Sequence, residues 1–227
     1  MGLREVRVGD GNKLIDDFLY DLVKEEKLFV SGHFRINKIN SARDWINLEK
    51  LFALDNEKFI EPITKGIFES VLMEYIKRYD NRAIALVGLN YYGAILASVI
   101  GYKYNLPFTY YFNEKNFVDK IENEMQDLNC KHLVLITDVM VFGDTLCDFV
   151  NMLYAGGIIT DDTRIDVIVL FERRPTSDYM SKAYMHQKIS EINIISDSFD
   201  IEICKKSREE CLFIQDENMC QYKEAQI

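Results

Sequence analysis

An acid at the end of an apolar run, a glycine five residues on and a hydroxyl two beyond that carry the clearest chemistry in this chain. They are Asp138, Gly143 and Thr145, in the stretch Leu133-Val134-Leu135-Ile136-Thr137-Asp138-Val139-Met140-Val141-Phe142-Gly143-Asp144-Thr145-Leu146. The pattern predicts a strand, a short loop and a helix starting at Asp144 or Thr145. A helix start offers unpaired backbone N–H groups and the positive end of its dipole, which together suit a phosphate. An acid just past the strand suits a ribose hydroxyl or a metal ion, or else caps a turn. Gly143 with Thr145 is equally a cradle or a bare helix start. Phe142 suits packing over a ring or a partner surface.

A second turn, Gly88-Leu89-Asn90-Tyr91-Tyr92-Gly93, follows another apolar run. Tyr91 and Tyr92 are suited to stacking on a ligand or to contacts within a dimer. His33, His132 and His186 lack metal-ligand spacing and read as surface or packed histidines, so no metal site is expected. Arg173-Arg174 reads as a solvated strand end, with a phosphate contact as the alternative.

The elements that must position these residues follow from periodicity. Apolar positions at 14, 15, 18, 19, 22 and 23 predict a helix capped by Asp10 or Asn12. Residues 28–52 alternate irregularly and predict a few short strands or a small lid. Asp55 opens a long amphipathic helix reaching Tyr79, with Pro62 in its early turns. Ala83–Val87, His132–Ile136 and Ile165–Phe171 are apolar runs of the kind buried on both faces of a sheet. Pro107–Phe112 is an aromatic strand, and Ile192–Ile195 is the last strand. Helical patterns lie between them at Ala94–Tyr102, Phe117–Leu128, Thr145–Tyr154 and Ser177–Ile189. Strands alternating with helices predict an α/β fold, a mainly parallel twisted sheet flanked by helices. Its ligands bind at the carboxyl ends of the strands, where the loops after Val87, Phe112 and Ile136 converge.

The chain has 227 residues, 48% of them hydrophobic. This fits a single domain with a substantial core: a hood at about 28–52, a core at about 55–200 and a charged tail at about 205–227. The tail reads as a docking helix or a frayed end. A net charge of −10 argues against broad nucleic-acid binding. No apolar run approaches the ~20 residues of a membrane helix. The charged N-terminus lacks a signal-peptide core, and five irregularly spaced cysteines suggest reduced thiols, so a cytoplasmic protein is expected.

From Leu28 to Ile195 the chain resembles the type I phosphoribosyltransferases, and among them the orotate enzymes. Ile136 to Leu146 lies on the family's motif of an apolar strand, two acids and a Thr/Gly-rich loop. Ala85-Leu86-Val87-Gly88 through Gly93-Ala94-Ile95-Leu96-Ala97 resembles its pyrophosphate loop and the helix after it. Gly32 to Ile36 with Ser41 to Asn47 resembles the hood of the orotate enzymes. Leu106 to Phe112 and Val169 to Arg174 resemble further strands. The resemblance implies a nucleotide or phosphoribosyl ligand held by Asp138, Val139, Val141, Phe142, Gly143, Asp144 and Thr145, with Tyr91, Tyr92 and Gly93 beside it. It also implies a homodimer. For an active enzyme it implies Asp138 and Lys115 as catalytic groups and Mg²⁺ as cofactor.

The departures fall on the chemistry. Thr137 stands where the family has its first acid, Val141 and Phe142 where it has small or hydroxylated residues, and Tyr92 where it has a lysine. Asp144 puts a carboxylate beside the phosphate position. At ~4 Å and an effective dielectric of ~20, that contact is unfavourable by roughly 4 kcal/mol per unit charge. Asp144 pointing away to cap its helix is the alternative. In the cationic mobile loop of the orotate enzymes, Glu114 to Lys120 here, only Lys115 is in register. Residues 113–128 carry a net charge of −3. Expelling pyrophosphate depends on cationic stabilisation. The expected function is therefore an orotate phosphoribosyltransferase-like protein that binds its ligand at 138–145, with transfer activity lost or strongly altered, as a sensor or a protein partner's subunit. The alternative is an active, divergent phosphoribosyltransferase or nucleotide-processing enzyme.

Overall fold

The computed structural model describes residues 10–35, 41–78, 84–111, 131–175, 181–197, 199–201, 203–204 and 222–224. A five-stranded parallel sheet forms the centre, in the order β4-β3-β5-β6-β7. The strands are β3 (Ile84–Leu89), β4 (Phe108–Tyr111), β5 (His132–Met140), β6 (Arg164–Glu172) and β7 (Glu191–Ser196). Side chains alternate between the two faces, as strand geometry requires. Ile84, Leu86, Val134, Ile136, Ile168 and Leu170 join one core with α1 (Asp10–Glu25), α3 (Ile60–Ile67) and α5 (Asn90–Tyr104). Ala85, Val87, Leu133, Leu135, Val167 and Val169 join the other with α6 (Asp144–Ala155) and the short α7 (Lys182–Met185). The sheet is thus covered on both sides, which is why its strands read as continuous apolar runs.

The expected hood is a second, four-stranded sheet. β1 (Phe29–Arg35) and β2 (Ser41–Ile46) pair antiparallel. Their outer edges are filled from the far end of the chain: β8 (Ile203–Cys204) beside β2 and β9 (Tyr222–Glu224) parallel to β1. Part of the tail expected as a helix or a frayed end is therefore hood strand. A short helix, α2 (Leu48–Phe52), leads back to the core, its start capped by the Asn47 side chain accepting from the Lys50 N–H at 2.9 Å.

Several boundaries differ from the sequence expectations. The helix starts at Asp10, so Asn12 lies inside it and does not cap it. The helix expected from Asp55 begins at Ile60, because Asp55 O instead closes a turn with the N–H groups of Lys58 and Phe59. It then passes through a π-turn at Phe68–Leu72 into α4 (Met73–Arg78). Of the helix expected at 177–189, the described part is α7 alone. Around it, Arg173 is not a solvated strand end but fully buried. Lys115, the segment 112–130 and residues 205–221 lie outside the described residues.

At the amino ends of the strands lies a buried polar knot. The imidazole Nε2 of His132 on β5 is 2.7 Å from Asp166 Oδ2 on β6. Arg164 Nε donates to the same oxygen at 2.7 Å and its Nη2 to Glu191 on β7 at 3.0 Å. This accounts for His132 as a packed histidine. No helix among the described residues is long and apolar enough to cross a membrane.

Candidate functional site

The carboxyl ends of β3 and β5 and the start of α6 enclose a cavity of about 120 Å³, far beyond the ~10–15 Å³ one water needs. Residues Thr137 through Leu146 form its floor and one wall, Leu89 and Asn90 a second, and Trp45 and Leu48 of the hood the roof. Gly143 makes the turn into α6. It adopts φ 77°, and a Cβ there would lie 2.3 Å from Ser181 Oγ. Only glycine meets both demands at low cost. The N–H groups of Asp144, Thr145 and Leu146 open the helix without helical acceptors. The strand, short loop and helix expected from sequence are thus present.

Asp138, Val139, Val141, Phe142, Gly143, Asp144 and Thr145 all line this cavity. Their roles differ. β5 continues to Met140, so Asp138 sits inside the strand and not just past it. It is 6% exposed. Its Oδ1 accepts from the Val139 N–H at 2.6 Å and from Asn90 Nδ2 at 3.4 Å. Burial pushes the Asp138 carboxyl above the usual range, and these hydrogen bonds oppose the shift. Val141 is buried against Phe34, Ala42 and Ile201 of the hood side, and half-buried Phe142 packs on the same cluster. Asp144 does not cap α6, which has no side-chain cap; it pairs with Lys182 at the start of α7. Thr145 is exposed.

The second turn is rearranged. β3 runs directly into α5 through Asn90 at φ 64°, a left-handed conformation that Asn tolerates better than most residues. No separate loop remains. Tyr91, Tyr92 and Gly93 are not on the cavity lining. Tyr91 is 64% exposed. The Tyr92 ring packs 4.6 Å from that of Phe52, and burial pushes its hydroxyl pKa up. Gly93 lies in the first turn of α5, against the backbone of Ile136. In their place the cavity gains Asn90, Trp45 and Leu48. Only Asn90 had a signal, as an αL-tolerant residue at a strand–helix junction.

Among the described residues, the lining holds two carboxylates and no Lys, Arg or His. No group of three His, Cys, Asp or Glu among them is placed to hold a metal. One oxygen of Asp138 accepts from Val139 and Asn90, and one oxygen of Asp144 pairs with Lys182.

The raised pKa of Asp138 fixes the sign of a stability effect. Above the ordinary value of 3.8 the unfolded chain has released this proton while the folded chain keeps it. Asp138 therefore lowers stability as pH rises from about 3.8 through its folded pKa. Asp138→Asn keeps an acceptor for Val139 and Asn90 and removes the buried charge. It is expected to stabilise the protein by about 1 kcal/mol at neutral pH, with the gain vanishing near pH 3, as read by thermal unfolding across pH.

No family model matches the chain, and no curated protein matches it. Solved structures do. Orotate phosphoribosyltransferase from Aeropyrum pernix is similar over 78% of this chain and 92% of its own, at 13% identity and a TM-score of 0.54. UMP synthase from Leishmania donovani is similar over 83% of this chain, at 17% identity and a TM-score of 0.52. The chain spans 36% of the length of that protein. With a five-stranded parallel sheet flanked by helices, the chain has the type I phosphoribosyltransferase fold.

Proposed function

We propose that this phosphoribosyltransferase-like protein binds a nucleoside monophosphate or a related phosphoribosyl compound at 138–145, and that its transferase activity is lost or strongly altered. The observation that carries this reading is the cavity itself: a phosphate-shaped turn and helix start, without a lysine or arginine among the described lining residues. The neutral N–H groups of Asp144, Thr145 and Leu146 suit a single phosphate. Asp138 suits ribose hydroxyls, which donate to a carboxylate. Trp45 and Phe142, rather than Tyr92, supply aromatic surface for a ring. A highly charged pyrophosphate meets Asp144 with, among the described residues, its Lys182 partner to offset it. The role that follows is a sensor or a partner subunit. The homodimer implied by the resemblance belongs to the same proposal, with Tyr91, Phe108 and Tyr110 exposed on α5 and the β4 edge for it. Asp138 favours one second reading. A buried carboxylate of raised pKa is suited to accept a proton, which a divergent enzyme acting on a different substrate would use.

Calorimetric titration with a panel of nucleoside monophosphates, phosphoribosyl pyrophosphate and ribose 5-phosphate tests the proposal. A monophosphate is expected to bind more tightly than phosphoribosyl pyrophosphate, with affinity falling about tenfold in Asp138→Ala and in Thr145→Val, the loss of one hydrogen bond to a charged or hydroxyl group. No binding by any member at millimolar concentration overturns it and leaves a scaffold role.

A further inference from the structure

Arg173 lies just past the carboxyl end of β6 and is fully buried, among the largest side chains in the protein to be so. A buried guanidinium is costly unless paired. Here its two Nη groups and its ring contacts lead to the hood and to the segment before β8, while its buried Nε has no hydrogen-bond partner among the described residues. One Nη donates to Asp44 O at 3.1 Å and the other to Asp200 O at 2.8 Å. The same group forms an ion pair with the Asp44 carboxylate on β2. The guanidinium carbon sits 5.6 Å from the ring centres of both Phe29 on β1 and Trp45 on β2, within cation–π range. The backbone of Arg173 faces the other way: its N–H donates to Met140 O at 3.0 Å.

Met140 is part of the cavity floor and Trp45 part of its roof. One residue therefore holds both walls of the site without itself lining it. Burial pushes the guanidinium pKa down and Asp44 opposes the shift. Arginine stays charged in proteins. The hood must then deliver Asp44 whenever it is seated, since an unpaired charge here is the expensive alternative. Bare apolar packing would let the hood slide; a planar donor fork against two carbonyls and a carboxylate fixes its register.

We infer that Arg173 is a positioning residue, a latch that seats the hood on the sheet and sets Trp45 as the roof of the 138–145 cavity. Its effect on ligand affinity rests on the function proposed above; its effect on Trp45 does not. If unlatching leaves the hood seated about one tenth of the time, apparent affinity falls about tenfold.

Trp45 is the only tryptophan in the chain, so fluorescence excited selectively in tryptophan, beyond the tyrosine absorption, reports from the roof alone. The test compares wild type with Arg173→Met, Arg173→Lys and Asp44→Ala, at a temperature where each keeps wild-type far-ultraviolet circular dichroism. Asp44 is partly exposed and on the hood, so Asp44→Ala breaks the latch with Arg173 in place should the Arg173 variants not fold. A red-shifted Trp45 emission with stronger acrylamide quenching is expected in all three, including Arg173→Lys, which keeps the charge but not the fork. Unchanged emission and quenching in the folded variants overturn the latch, whatever happens to their melting temperatures. Titration with the tightest monophosphate of the panel then reads the coupling. If the wild type binds none, the ligand assignment fails while the ligand-free fluorescence still decides the latch. If the variants show the fluorescence change yet bind as tightly as wild type, the coupling to the site is refuted.

Discussion

Given orotate, phosphoribosyl pyrophosphate and Mg²⁺, the purified protein is expected to form orotidine monophosphate at least about six orders of magnitude more slowly than an enzyme with an intact charge clamp. Each preorganised group aimed at developing charge is worth about 10²–10³ in rate, and the resemblance implies at least three altered ones here, at Thr137, at Tyr92 and in the 114–120 loop. Thr137 stands where the resemblance implies an acid. Tyr92 stands where the resemblance implies a lysine, and its ring packs on that of Phe52, off the cavity lining. Asp144 adds a carboxylate at the helix start, beside the position expected for the ligand's phosphate. Lys182 pairs with Asp144, which removes a repulsion but supplies no net positive charge. Product formation followed by absorbance or mass spectrometry checks this, and robust turnover would show that cations from outside the described lining complete the site. Because transfer and binding make different demands, a failed assay together with a positive monophosphate titration is the outcome the geometry favours.

Much of this architecture was legible in the residues because burial leaves a periodic trace. The apolar runs at 83–87, 132–136 and 165–171 fall in β3, β5 and β6, which are covered on both faces, and Gly143 marks a turn that needs a positive φ. The helix start at Asp144 was equally legible. What the sequence hid was relational. That Tyr92 turns to Phe52 depends on where α2 docks, and no local pattern encodes this. The pyrophosphate-type loop was expected from Gly88 and Gly93, two residues that mark turns in many chains. Here both instead let backbones approach: a Cβ on Gly88 would lie 2.4 Å from Ala94 Cα. Arg173 read as solvated because arginine at a strand end usually is. Its burial depends on Asp44, 129 residues away in the chain. Trp45 and Leu48 enter the cavity only because the hood folds back over the sheet, which periodicity within 28–52 does not reveal.

Gly93→Ala is expected to be among the most destabilising single substitutions in the protein, and its outcome separates two roles for this residue. The first turn of α5 crosses β5 so closely that a Cβ at 93 would lie 2.4 Å from Ile136 O and 3.3 Å from both Ile136 C and Thr137 Cα. These are backbone atoms of the central strand, paired on both sides by β3 and β6. No rotamer change relieves the clash; either α5 lifts or the ladder deforms. A loss of about 3–5 kcal/mol follows, or roughly 10 °C in melting temperature for a chain of this size. Gly157→Ala is the control, since nothing lies within 4 Å of a Cβ there and only its φ of 70° is strained. That strain costs about 1–2 kcal/mol. Thermal unfolding of the two variants should therefore differ by several degrees. Were Gly93 instead a ligand contact on a loop, the alanine would be stable and would lose affinity alone. The packing also explains why the site sits where it does. The glycine that lets α5 close on Ile136 and Thr137 brings Asn90, three residues earlier, beside Asp138, so the contact that stabilises the sheet also builds the cavity wall.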